Sequence, residues 1–365
     1  MTTYDRYAMP PAEDLWEVPA SGSARFTWEY DEGRARLLAL YQKGKDKQWD
    51  ATKRIDWDLE VDPYDALGLP VETLPIYGSP TWERLDEATR REVIHHSASW
   101  QFSQFLHGEQ GAMITSARIV ESVPDLDSKF YAATQTMDEA RHAETYARFL
   151  EDKIGLVYPI NPNLQHLLDN TLSDSRWDMP YLGMQVLIEG VALAAFGLLR
   201  DMTTKPLPKQ ILAYVMQDEA RHVAFGRLAL RDCYAQLTSA ELAEREEFVV
   251  EGCYLLRDRL RGREIWENFG FDVNECLEWT QNSEYMRAYQ SLLFTRIVPC
   301  VKDIGLWGER VQQAYADMGV LDYAGVDLES LMAQDESLAD KLDADKESLQ
   351  TRADEVHETI ALAAG

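Results

Sequence analysis

Cysteine is scarce in this chain. Cys233, Cys253, Cys276 and Cys300 are its four, and no two form a C-x-x-C pair. That spacing argues against a thiolate metal site or a disulfide framework and suits a reduced, cytoplasmic setting. Basic residues are also few, with 36 Lys and Arg against 63 Asp and Glu in 365 residues and a net charge of −27. Such a balance argues against nucleic acid or an anionic membrane as a partner. The opening Met-Thr-Thr-Tyr-Asp-Arg has no basic region leading into an apolar run, so no secretory signal is expected there. No βαβ pattern, glycine-rich phosphate loop or zinc-finger array is present. The longest apolar stretch, Tyr181 to Leu199, has Gln185 and Glu189 at its centre. Its length would allow a membrane span, but an intramembrane carboxylate is expensive, and a buried helix of a bundle is the expected alternative.

What the chain does have is a repeated pentapeptide: Asp138-Glu139-Ala140-Arg141-His142, and again Asp218-Glu219-Ala220-Arg221-His222. Each copy contains Glu-x-x-His, which on a helix sets a carboxylate and an imidazole on one face about one turn apart, within reach of one metal ion. Each copy is also preceded, 30 residues upstream, by a glutamate in a largely apolar stretch: Glu109 before Glu139, and Glu189 before Glu219.

The surrounding pattern is helical throughout, and the expected fold is all-α, a four-helix bundle with additional peripheral helices. A helix starting near Ser79-Pro80-Thr81, or restarting near Asp86, should carry Glu109 to about Glu121. Val123-Pro124-Asp125-Leu126 breaks it, and a second helix should carry Glu139 and His142 to about Lys153. Glu109 and Glu139 stand equally far from Pro124, so an antiparallel hairpin brings their carboxylates level. Glu189 and Glu219 stand equally far from Thr204, and the second half repeats the arrangement. A crossover at 155 to 178 is expected to hold a short helix around Leu164 to Leu172. Further helices are expected at 31 to 50, about 239 to 263, Asp272 to Thr280 and 284 to 299. We divide the chain into an N-terminal arm and helix (1–80), the bundle with flanking helices (81–300) and an acidic C-terminal extension (301–365). Leu328, Leu331, Leu338, Leu342 and Leu349 give that extension a weak amphipathic pattern.

Glu109, Glu139, His142, Glu189, Glu219 and His222 form a mixed oxygen and nitrogen set suited to two divalent first-row ions, whose charge the four carboxylates would balance. Each motif alone could be a solvated helix face. Glu189 argues otherwise, because an unpaired carboxylate among Val, Leu, Ile and Phe would be costly to bury. Asp138 and Asp218 point about 100° away from the neighbouring glutamates. They are either surface charges or, as we prefer, acceptors for the second ring nitrogen of a ligand histidine across the bundle, with Arg141 and Arg221 balancing them.

The paired Asp-Glu-x-Arg-His motifs with their upstream glutamates resemble the ferritin-like di-iron carboxylate proteins, in particular the oxygen-activating branch. That branch includes the bacterial multicomponent monooxygenase hydroxylases and the ribonucleotide reductase small subunit with its ligand-binding oxidase relatives. The resemblance covers about residues 85 to 235. It implies a four-helix core holding two carboxylate-bridged iron ions, with Mn/Fe as a variant, which take electrons from an external donor such as a reductase or ferredoxin and then react with O2. A homodimer is expected with it. Three positions qualify the likeness. Leu193 stands where hydroxylases of the family carry a threonine, which puts a proton-relay role there in doubt. Val215 stands where relatives that oxidise aryl amines carry an extra histidine. Tyr146 matches the position of the radical tyrosine in the reductase small subunit, although a core tyrosine is the plainer reading.

The expected function is a di-iron oxygenase or oxidase acting on a small, largely apolar organic molecule. Ala112, Met113, Ala143, Phe196, Phe225 and Gly226, each a few residues from a ligand, are candidates to line its pocket. A radical-generating subunit using Tyr146, and a ferroxidase without organic substrate, are the alternatives.

Overall fold

The computed structural model describes residues 6–11, 16–30 and 33–364, with side chains described through residue 348. Among these the chain is helical, and the sole β feature is an isolated parallel bridge between Tyr7 and Val157. Leu349 falls outside the described side chains.

Four long helices build the core. The first, Glu87–Ser122, is capped by the Asp86 carboxylate, which accepts from the Thr89 backbone N–H. A separate turn of helix at Pro80–Glu83 precedes it, so both starts read from the sequence are used. Val123 adopts an extended conformation, as a residue before proline must, and Asp125 caps the second helix, Leu126–Phe149. One wider turn, Leu150–Ile154, continues that helix to Gly155, whose left-handed conformation (φ 75°) ends it.

The third helix runs over Tyr181–Met202, with its opening segment Tyr181–Ile188 wound as π-helix and Glu189 at the point where α-helical winding resumes. Every residue of that π segment is buried. The stretch is apolar and long enough to cross a membrane, yet 83% of its most apolar window is buried inside the protein, as the central helix of a bundle should be. The fourth helix, Pro206–Tyr234, starts with proline in its first turn, where a missing N–H costs nothing. Helix Pro162–Ser173, capped by Asn161, makes the crossover between the two hairpins.

Outside the bundle, helix Ala35–Asp46 packs on the second and fourth helices. The N-terminal arm is extended and pinned at intervals, with Trp16 donating to Asp169 and the Arg25 N–H to the Glu121 carbonyl. One helix expected at 284 to 299 is two, Glu284–Leu292 and Ile297–Asp303. Pro299 is the reason: its ring collides with a carbonyl four residues back, so the chain breaks and restarts with Pro299 in a first turn. The C-terminal helix Leu328–Ala364 lies on the fourth bundle helix. It is anchored by an acid as well as by leucines. Asp335, 2% exposed, accepts from both Arg200 (3.2 Å) and Arg296 (2.7 Å).

Candidate metal centre

All six residues singled out as ligands converge at mid-height of the bundle, one glutamate from each odd helix and Glu-x-x-His from each even one. They form two overlapping sets, Glu109, Glu139, His142 and Glu219, and Glu139, Glu189, Glu219 and His222, within each of which the donor atoms lie inside 4.8 Å of one another. Glu139 and Glu219 belong to both sets. Every member is buried.

The imidazoles show which atoms face the centre. His142 Nδ1 lies 3.0 Å from Glu219, 3.4 Å from Glu109 and 3.4 Å from Glu139, while its Nε2 lies 3.1 Å from Asp218 Oδ2. His222 mirrors it, with Nδ1 3.0 Å from Glu139 and 3.4 Å from Glu219, and Nε2 3.2 Å from Asp138 Oδ2. An aspartate accepting from Nε2–H leaves the Nδ1 lone pair directed at the carboxylates. Each histidine is thus held by the aspartate of the other motif.

The aspartates are themselves held. Arg141 donates to Asp138 (2.5 Å) and to Asp218 (2.7 Å), and Arg221 donates to Asp218. Although burial raises the Asp218 carboxyl, Arg221, His142 and Arg141 together keep it well below the usual carboxylate range. Two further partners come from the stretch after helix Ala35–Asp46, where no motif signals them: Gln48 donates to Asp138 (2.7 Å) and the Trp49 indole to Asp218 (2.7 Å). Gln135 is another, one turn before Glu139. Its amide donates to Glu139 (3.0 Å) and Glu189 (2.8 Å), and its carbonyl oxygen accepts from Gln185 (3.3 Å). The matching position in the second motif is the buried Val215.

The donor set fits metal ions. His142 Nδ1, His222 Nδ1, Glu139 Oε2, Glu189 Oε2 and both Glu219 oxygens are buried without a hydrogen-bond partner, a rare condition for polar atoms that metal would relieve. Burial pushes Glu109 and Glu189 well above the normal range, helped by Glu219 at the first and by Glu139 and Glu219 at the second. Burial lowers both histidines, but the surrounding acids overcome it and raise them. Two divalent cations would replace the protons these groups otherwise retain.

A cavity of about 20 Å³ reaches the carboxylates of Glu109, Glu189 and Glu219. Of the expected lining residues, Ala112 and Phe196 border it. Met113 and Ala143 are half-buried and do not. Phe225 packs instead on Tyr131 and Tyr181, with ring centres 4.3 and 5.1 Å away, and Gly226 backs onto Gln185, so both belong to the packed core. Leu193 is likewise buried core. Tyr146 is fully buried against Phe102, Phe105 and Phe196, and its hydroxyl has no partner. A second, larger cavity of about 140 Å³ includes Gln101, Leu199 and Met202, one or two turns further along the first and third helices from Phe105 and Phe196.

Several solved structures are similar to this chain. The dimanganese(II) NrdF of Streptococcus sanguinis is 13% identical, with 79% of this chain and 98% of that one covered and a TM-score of 0.50. An R2-like ligand-binding oxidase with a Mn/Fe cofactor is 15% identical over 76% of this chain and all of its own (TM-score 0.47). A Synechococcus protein with aldehyde deformylating oxidase activity is 17% identical over 61% and 95% (TM-score 0.43). No curated protein matches. A family model described as p-aminobenzoate N-oxygenase AurF matches residues 31–305, which span both hairpins and all six converging residues. The chain belongs to the AurF family of oxygenases.

Proposed function

We propose that the protein uses O2 to oxidise a small organic molecule with two iron ions that Glu109, Glu139, His142, Glu189, Glu219 and His222 would hold, Glu139 and Glu219 being common to both donor sets. The observation that carries this reading is the pair of overlapping donor sets that share those two glutamates. A bound pair of irons supplies the redox chemistry with O2. Everything else is the work of the chain. Asp138 and Asp218 fix the histidine tautomers. Gln135 orients Glu139 and Glu189. Phe105, Ala112, Ile188, Ala192 and Phe196 form an apolar wall that excludes bulk water. The 20 Å³ space beside the carboxylates has room for about one water-sized molecule such as O2. The 140 Å³ cavity, lined mainly by apolar groups, offers an approach for substrate along the same pair of helices.

The family model is described by an arylamine substrate, p-aminobenzoate. Val215 stands where arylamine-oxidising relatives carry a histidine, so a second ion held here would have one nitrogen donor fewer. Electrons come from an external reductase or ferredoxin, because no flavin, haem or iron–sulfur motif is present in the sequence. A homodimer is part of the proposal. Exposed Ile114, Phe130 and Met137 on the first two bundle helices are apolar surface that a second copy would cover.

The test is anaerobic loading with Fe(II) followed by O2. The proposal expects two irons per chain, O2 consumed in proportion to protein, and no further iron uptake. Iron taken up in large excess would point to storage and contradict it. Tyr146 supports a second reading, because it is buried with an unpartnered hydroxyl and is influenced by Glu109 and Glu219. A persistent tyrosyl radical that disappears in Tyr146→Phe would make this a radical-generating subunit instead.

A further inference from the structure

The 140 Å³ cavity beyond Gln101 and Leu199 has no Lys, Arg or His in its lining. Its one charged residue is Asp65, whose carboxylate is already engaged by Lys205 at 2.5 Å. The other polar side chains of the wall also turn to partners within the protein. The Trp100 indole donates to Glu264 (2.9 Å), Ser97 to the Val93 carbonyl (2.7 Å) and Thr73 to the Pro70 carbonyl (2.7 Å). The Tyr285 hydroxyl faces the Met202 sulfur at 3.9 Å. Gln101 and Tyr289 hydrogen-bond each other, and burial pushes the Tyr289 hydroxyl up to about 12. What remains to meet a ligand is largely apolar.

Phe105 lies one helical turn from Gln101, and Phe196 one turn from Leu199. Both rings border the 20 Å³ space beside Glu109, Glu189 and Glu219 and neither borders the larger cavity. They meet edge to face with centres 4.7 Å apart, so this aromatic pair is the partition between the two spaces. A cavity of roughly 150 Å³ with aliphatic and aromatic walls stays dry and takes up benzene, which puts the larger space at the size of a single ring. A carboxylate entering it would give up its hydration with no cation to meet it. A chain with a net charge of −27 also repels an anion before it arrives.

We propose that this cavity selects as substrate an uncharged, apolar molecule of about one ring, and that it turns away a ring bearing a carboxylate because its wall holds no cation. That sets the chain apart from the description of its family, whose named substrate, p-aminobenzoate, is an anion at neutral pH. The proposal rests on the metal centre being the reactive site, but the recognition it describes can be measured without turnover.

Benzamide and benzoate, alike in shape and different in charge, are titrated calorimetrically into the full-length protein loaded with redox-silent Zn(II), with bound metal counted. Wild type is expected to bind benzamide roughly tenfold or more tighter than benzoate. Gln101→Lys, which puts a cation into the wall, should narrow or reverse that preference. Ala98→Met, which fills the space from the first bundle helix, should abolish benzamide binding, and Met202→Trp fills it from the third helix should Ala98→Met fail to fold. The Zn(II) count should be unchanged in all three. No benzamide binding, benzoate bound as tightly as benzamide, or benzamide binding that survives filling of the cavity would overturn the assignment. A preference undiminished in Gln101→Lys would do so too, since charge would then not be what the cavity reads. Failure of the metal reading shows separately, as a Zn(II) count below two.

Discussion

His142 and Asp218 are 76 residues apart in the chain, and across the bundle His142 Nε2 and Asp218 Oδ2 are 3.1 Å apart. With the reciprocal pair of His222 and Asp138 at 3.2 Å, each motif orients the histidine of the other. Asp218→Asn removes the charge that favours Nε2–H as donor. Metal affinity should fall by about 10- to 100-fold, read by competition with a chromophoric chelator. Unchanged affinity would mean that the aspartate is only a counter-ion for Arg141 and Arg221.

Gln135 donates to Glu139 (3.0 Å) and Glu189 (2.8 Å), two of the candidate ligand carboxylates. Gln135→Leu should therefore destabilise the metal-free form by about 1–3 kcal/mol, and by less once metal is bound and takes over those oxygens. Thermal denaturation with and without Zn(II) compares the two states. An equal loss in both would show that the role of Gln135 is packing.

Gly226 lies one turn after His222, where a Cβ would meet Gln185 Cβ at 2.4 Å. Gly226→Ala should cost about 1–3 kcal/mol through overpacking and disturb the contact from Gln185 to Gln135. A Cβ at Gly252 meets Leu187 Cδ1 at 2.6 Å, the movable end of a side chain. Gly252→Ala should be the milder of the two in urea denaturation, and the reverse order would contradict this account of the packing.

A pH effect is expected away from the metals. His96 accepts or donates at Nδ1 with the Tyr158 hydroxyl (2.8 Å), and it is faced by His95, Glu92, Asn268 and Phe269. Burial, and then His95, push it down to about 4. The unfolded chain takes up this proton near the ordinary value of 6.5 and the folded one only near 4, so the contribution to stability is present above pH 6.5 and is lost as pH falls toward 4. In His96→Gln the melting temperature should fall less steeply across that window than in wild type. Parallel curves would refute the assignment.

The hairpins and the six converging residues were legible because each rests on local signals: Glu-x-x-His spacing, the Pro124 and Thr204 breaks, and a glutamate in an apolar run. The cross-bundle aspartates followed from the same symmetry. Gln48, Trp49 and Gln135 were not legible, since a polar side chain that crosses to a partner 54 to 169 residues away leaves no periodic trace. Phe225 and Gly226 were misplaced for a related reason: closeness in sequence to His222 does not say which side of the helix faces a cavity.

The most direct measurement is the metal content of wild type and Glu189→Ala after loading with Fe(II) under anaerobic conditions and desalting. The account predicts two irons per chain in wild type and the loss of cooperative two-ion binding in the variant, because Glu189 belongs to the Glu139–Glu219–His222 set. Two irons retained in Glu189→Ala would contradict the site.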